Sequence, residues 1–310
     1  MLGELLQRYG AIEEALSVRK RELESWIHQR LLSRSDRLII GRAIEGGKRL
    51  RPVFLLILFD ALGGKDRRVA LDVAFALELA HAASLMHDDI IDWDSLRRGK
   101  PALWRQIGIS RAIIEGHRII NLAFKTVLEK GVEISRIFLE AWDKASLGVL
   151  EEILSTTPPS KLLYLRIIEN KTASLFAAAA ESAAVLAGVS DDVRFLAKEY
   201  GRLVGIVYQL GDDYADIVSN RGLARVLKSL GRVEELVRQG YFALRSGKLM
   251  ELLKLWEALR GFQGYMHEIL RESLSEIDRL TGVLPVTPEY RELLREFPRY
   301  CFLRMVREAG

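Results

Sequence analysis

Residues 71–92 read LDVAFALELAHAASLMHDDIID, and the fold class turns on this stretch. Apolar side chains at Leu71, Ala74, Phe75 and Leu79 recur three and four residues apart, the period of one face of a helix. No proline interrupts residues 53–100. Proline removes a backbone donor and clashes with the preceding turn, so stretches without it can hold long helices. The pattern returns at Leu196, Leu203, Val204 and Val207 inside the proline-free residues 160–284, and residues 102–157 form another such stretch. Strand-type alternation is sustained nowhere. Breaks such as Gly46-Gly47, Gly63-Gly64, Gly99-Lys100-Pro101 and Pro158-Pro159 divide the chain into roughly ten or more helices with short connections. No low-complexity linker separates them. The expectation is an all-α chain in which residues 1–310 form a single large domain of long packed helices. The alanines at 177–180, 183, 184 and 187 predict a strongly helical segment in a tight core.

Composition narrows the function classes. With 310 residues, 49% of them hydrophobic, the chain can bury a sizeable core. Its 46 basic and 42 acidic residues leave a net charge of only +4, so there is no global pull toward nucleic acid or membrane and no nucleic-acid partner is expected. The single cysteine, Cys301, excludes an intramolecular disulfide and fits a reducing compartment. Glu4, Glu13 and Glu14 stand where a signal or transit segment would be basic and acid-poor, so a cytoplasmic protein is expected. The strongest apolar run, residues 53–59, ends at Asp60, far below the roughly 18 to 20 residues a bilayer requires, and no transmembrane segment is expected.

Two acidic clusters carry the chemistry. In residues 87–92, HDDIID, Asp88 and Asp92 are four apart and share a helix face, with Asp89 about 100° away. Residues 209–216, QLGDDYAD, repeat that spacing with Asp212 and Asp216, and Asp213 takes the place of Asp89. One such cluster is ordinarily a solvated surface. Two, each ending an apolar helix, place carboxylates beside a core, where they are costly unless a cation joins them. Oxygen ligands without His or Cys select hard cations, and Mg²⁺ binds through a few carboxylates together with substrate phosphate oxygens. The implied ligand is a magnesium-bridged diphosphate. Neither cluster has the EF-hand loop pattern, and Gly46-Gly47-Lys48 lacks the P-loop spacing. Residues 46–52, GGKRLRP, and 97–101, RRGKP, supply cations for an anion.

Taken in order, GGKRLRP, HDDIID, RRGKP, Lys171-Thr172 and QLGDDYAD resemble the motifs of the trans polyprenyl diphosphate synthase family, over residues 40–218. The resemblance implies the isoprenoid synthase fold, with helices around a central apolar cavity. It also implies a Mg²⁺-dependent prenyltransferase that condenses isopentenyl diphosphate with an allylic diphosphate by ionisation, condensation and elimination. Asp88, Asp92 and Asp212 match the family's metal ligands, with Asp216 supporting the second site and Asp89 and Asp213 completing the motifs. Arg97 and Lys171 match groups on the allylic diphosphate, and Thr172 and Gln209 line the reacting region. Lys48, Arg51, His81 and Arg98 match the isopentenyl diphosphate pocket. A homodimer is implied, with the helices around the first motif at its interface.

The resemblance also speaks to product length. In short-chain members the positions of Ala83 and Ser84 often carry aromatic rings, and here neither does. From Asp88 back past Ala83 and Ala80 to Ala76 a helix rises roughly 18 Å at about 1.5 Å per residue. A tail of geranylgeranyl length or longer is therefore expected, unless these alanines serve only to let another helix approach.

Three departures from the family stand out. The basic, glycine-rich loop after the second motif is replaced by Asn220-Arg221-Gly222 and then Leu223, Val226, Leu227 and Leu230 at helical spacing, leaving Arg221, Arg225 and Lys228 as substitutes. A Gly-Gln pair with a downstream Asp appears as Gly148-Val149 with Glu152, and a Gly-Asp pair appears as Gly116-His117. These departures keep open a non-catalytic or weakly catalytic subunit that works beside a heteromeric partner. A class I terpene cyclase shares the first motif, but its second site needs Asn or Asp, then Ser or Thr, then Glu, where this chain has a second DDxxD.

Overall fold

Asp66 caps the helix that carries the first acidic cluster, its side chain accepting a hydrogen bond from the backbone nitrogen of Val69 at 3.2 Å. The helix runs to Ile91, and Trp93, in the left-handed region at φ 56°, turns the chain away. A computed structural model describes residues 2–154, 161–218 and 249–309, with side chains described for 10–154, 161–215 and 264–306. In chain order the helices are α1 (Leu2–Leu31), α2 (Arg37–Ile44), α3 (Leu50–Ala61), α4 (Arg67–Ile91), α5 (Leu103–Ile107), α6 (Ile109–Leu128), α7 (Val132–Leu154), α8 (Lys161–Ile168), α9 (Ser174–Ala187), α10 (Asp191–Val218), α11 (Leu249–Val283) and α12 (Pro288–Ala309). A π-helical turn, Glu169–Ala173, joins α8 to α9. Strands β1 (Leu96–Arg97) and β2 (Lys100–Pro101) form a small hairpin. The all-α expectation holds. Contacts divide the chain into two compact units, residues 1–140 with 178–194 and residues 141–177 with 195–310.

In the first unit α4 packs most extensively on α6, and then on α3. Every residue of α3 except Asp60 is buried, as an all-round apolar helix requires. Asp60 is the half-buried exception, held by Arg19 at 2.8 Å and Arg67 at 2.7 Å. Asp72 is buried in α4 but compensated by Trp26, Arg30 and Lys130, which tie α1 and the end of α6 to α4. Helix α4 is long and apolar enough to cross a membrane by length and composition alone, yet 78% of that window is buried inside the fold.

In the second unit α11 packs on α12. The fully buried Tyr200 of α10 donates to the carbonyl of Leu294 in α12 at 2.7 Å. Pro52 lies in the first turn of α3 and Pro288 begins α12, both positions where the missing N–H costs nothing. Pro298 differs from the reading of proline as a boundary, because α12 continues through it.

Candidate active site

In the first unit the last turn of α4 carries Asp88 and Asp92, both half-buried, with the Asp92 amide donating to the Asp88 carbonyl at 2.8 Å. Asp89 points the other way. It is only 4% exposed and accepts from Arg97 Nε at 2.6 Å. Burial pushes its carboxyl above the usual range, while Arg97 works against that shift. Arg97 is placed by the hairpin, whose turn residues Arg98 and Gly99 both have positive φ, 53° and 75°. Arg98 reaches back and donates to the carbonyl of Glu45 at 2.6 Å, just past the end of α2, where a cation suits the helix dipole. A cavity of about 310 Å³ opens on the Asp89 side of α4, lined in part by Ala82, Leu85, Met86, Arg42, Arg98 and Lys100.

The glycine-rich stretch before α3 sorts its cations. Lys48 is exposed, whereas Arg49 is buried, takes the left-handed conformation at φ 57°, and pairs with the buried Glu78 at 2.5 Å. A Cβ on Gly47 would lie 2.1 Å from Arg49 Nη1, so Gly47 makes room for an internal ion pair rather than for an anion. Arg51 faces His81, its Nη1 lying 3.2 Å from Nε2. A guanidinium can only donate, so Nε2 accepts. Burial, aided by the charges of Arg51, Arg98 and Arg97, holds His81 well below the usual histidine range and keeps it neutral. The ring of His87 packs on α6, where a Cβ on Gly116 would come within 2.5 Å of Nε2, and the His117 ring centroid is 5.2 Å from that of His87. The Gly116-His117 departure thus lines a close contact of α4 with α6.

In the second unit Lys171 and Thr172 sit on the π-helical turn, a feature frequent at functional sites. Helix α7 approaches so closely that a Cβ on Gly148 would lie 2.6 Å from the Lys171 backbone nitrogen. One turn further along α7, Glu152 accepts from Lys171 Nζ at 2.6 Å. Glu152 was legible only as a departure, although its i, i+4 spacing from Gly148 places both on one face of α7. Thr172 Oγ1 donates to Gln209 Oε1 at 2.8 Å, and Gln209 Nε2 donates to Asp213 at 2.9 Å. Tyr164, which no motif singled out, donates to the other oxygen of Asp213 at 2.6 Å. Asp212 is exposed. The side chain of Asp216, and Arg221, Arg225 and Lys228, lie outside the described residues. In each cluster, then, the second aspartate is engaged by the protein itself.

The profile of the Polyprenyl synthetase family matches residues 37–226, more than half of the chain. The chain belongs to this family. A short chain isoprenyl diphosphate synthase of Methanothermobacter thermautotrophicus is 35% identical over 232 residues, covering 71% of this chain and 67% of that protein. A geranylgeranyl diphosphate synthase of Methanosarcina mazei is 37% identical over 182 residues, but the match spans only 56% of each. Among solved structures, a polyprenyl synthase from Caulobacter crescentus complexed with calcium and isoprenyl diphosphate superposes with a TM-score of 0.73 at 24% identity, covering 95% of this chain and 97% of the other.

The carboxylates suit the divalent metal that the family implies. Among the described residues no three His, Cys, Asp or Glu side chains converge into a ready-made cage. Magnesium does not need one, since it keeps several waters and takes one or two carboxylates with substrate phosphates. The half-buried pair Asp88 and Asp92 in the first unit is a donor set of that kind, and the second unit presents the exposed carboxylate of Asp212.

Proposed function

We propose that this chain is a Mg²⁺-dependent prenyltransferase that condenses isopentenyl diphosphate with an allylic diphosphate, yielding a trans-prenyl diphosphate of geranylgeranyl length or longer. The observation that carries this reading is that Asp88 and Asp92 on one turn of α4 are half-buried and Asp212 is exposed, while Asp89 is buried against Arg97 and Asp213 is hydrogen-bonded by Tyr164 and Gln209. In a family whose members act on prenyl diphosphates, outward carboxylates in this spacing are suited to metal and diphosphate.

Asp88 with Asp92, and Asp212 with Asp216, would hold metal, which when bound supplies neutralising charge for the departing diphosphate. Lys171, steadied by Glu152, and Arg97 would bind the allylic diphosphate, while Lys48, Arg51 and Arg98 would bind the isopentenyl diphosphate. Neutral His81 adds no charge of its own and orients Arg51. Developing positive charge on the allylic carbon calls for an electron-rich neighbour, and the Gln209 carbonyl oxygen is one. The released diphosphate takes the proton lost on elimination, so no protein base is assigned. We place the protein in the cytoplasm as a homodimer.

Purified protein incubated with labelled isopentenyl diphosphate, an allylic primer and Mg²⁺ tests the proposal. Elongated diphosphate is expected. A cyclic hydrocarbon would instead mark a terpene cyclase, and no product from an active-folded preparation would mark a subunit that needs a partner.

A further inference from the structure

Tyr164 belongs to none of the sequence motifs, yet it begins a continuous hydrogen-bond chain that ends on the π-helical turn. It is 4% exposed, and burial raises its phenol well above the ordinary range, so the hydroxyl keeps its proton and donates. Its acceptor is Asp213 Oδ2 at 2.6 Å. The other carboxylate oxygen, Oδ1, accepts from Gln209 Nε2 at 2.9 Å, and Gln209 Oε1 accepts from Thr172 Oγ1 at 2.8 Å. The polarity of this chain is forced. A carboxylate only accepts, so Gln209 must turn its NH₂ toward Asp213, which leaves its carbonyl oxygen on the Thr172 side. A flipped amide would set oxygen against oxygen at Asp213, a cost that the Thr172 hydroxyl, able to accept as well as donate, would not offset.

We propose that Tyr164 is a positioning residue: its hydroxyl anchors Asp213, and Asp213 in turn holds the Gln209 amide in the one orientation that presents its carbonyl oxygen beside Thr172. This deepens, and rests on, the prenyl-elongation reading. A carbonyl oxygen has two lone pairs, and Thr172 uses one. The second is left for the charge that develops as the allylic diphosphate ionises. Asp213 thereby works as an orienting anion, a role distinct from that of its neighbour Asp212.

Tyr164→Phe removes the hydroxyl alone. The expected result is a fall in kcat of about ten- to a hundredfold with the KM for the allylic diphosphate within about twofold. In a Gln209→Leu background the same change should have no further effect on kcat, because the residue through which Tyr164 acts is gone. An equal fold-loss in both backgrounds, or unchanged kcat in Tyr164→Phe, overturns the proposal. The chain is also readable without turnover: in protein labelled with ¹⁵N-glutamine, the Gln209 side-chain amide signals, assigned by their loss in Gln209→Leu, should exchange slowly and shift when Tyr164 becomes Phe. Unmoved signals refute the positioning role even if the wild-type protein elongates prenyl chains. A wild type inert toward prenyl diphosphates refutes the functional reading, while the amide signals still decide the hydrogen-bond chain. Should Tyr164→Phe fail to fold, Asp213→Ala removes both acceptors, interrupts the same chain and is judged by the same readings.

Discussion

Replacing Gly148 by alanine sets helix propensity against the geometry of the π-helical turn. A Cβ there would lie 2.6 Å from the Lys171 backbone nitrogen and 2.9 Å from Asn170 Cβ, while ordinary contact begins at 3.4 Å, so the neighbour must move by about 0.8 Å, the difference of 3.4 and 2.6. The obstacle is backbone, so no side-chain rotation relieves it. The turn that carries Lys171 and Thr172 has to shift. Alanine in a helix interior gains about 1 kcal/mol over glycine, and overpacking costs about 1–3 kcal/mol, leaving a net loss of about 0–2 kcal/mol. At about 2–4 °C per kcal/mol for a chain of this size, Tm should fall by no more than about 8 °C. Activity should suffer more, because a misplacement near 1 Å in a group that positions substrate costs about 10²-fold. The assay pairs calorimetry with kcat and KM for the allylic diphosphate. Gly264→Ala in α11, where an added Cβ meets nothing within 4 Å, is the control and should raise Tm slightly with kcat unchanged. If Gly148→Ala left Tm at or above wild type and kcat within about twofold, the idea that α7 positions the Lys171 turn would be refuted.

Asp88→Ala or Asp212→Ala should each lower turnover by at least about 10²-fold, and a chelator should abolish activity until Mg²⁺ is restored; near-normal turnover in either variant removes the two-cluster metal reading. Acidification should destabilise the fold through His81. Its folded pKa lies well below the unfolded value of 6.5, so the unfolded chain gains a proton the folded chain refuses. That stability is complete above 6.5 and is lost as pH falls through 6.5 toward the folded value. His87 is lowered in the same direction, so His81→Gln should shrink the pH slope of Tm in this window without erasing it, and an unchanged slope would count against a neutral buried His81. Product length should respond at Ser84, which lies on the α4 face of Asp88 and His81 and is only half-buried, so that Ser84→Phe shortens the products. Ala83 is fully buried on the face of His87, and Ala83→Phe should cost about 1–3 kcal/mol of stability. An unaltered product distribution in Ser84→Phe would move the tunnel to another helix face.

Much of the site was legible because its spacing is local. Asp88 with Asp92, and Asp212 with Asp216, share a face by helical geometry alone, and the opposite lean of Asp89 follows from the 100° step. By charge and spacing alone the cations of residues 46–52 are alike; the family resemblance picks out Lys48 and Arg51, and the burial of Arg49, which closes on Glu78 twenty-nine residues away, gives the physical reason it is set apart. Glu152 read as a defect in a motif because its partner, Lys171, is 19 residues distant and its distance cannot be had from spacing.

The sequence by itself determined the helical class, the positions of the breaks and the two carboxylate pairs, since helix periodicity and i, i+4 geometry act within a few residues of chain. Tertiary structure alone decided which charged groups face solvent and which are consumed inside. Tyr164 meets Asp213 across 49 residues, Thr172 meets Gln209 across 37, and His81 loses its charge to the burial and the arginines around it. A side chain's chemical type is written in the sequence, but its protonation, orientation and partner depend on the desolvation and distant charges that packing brings to it.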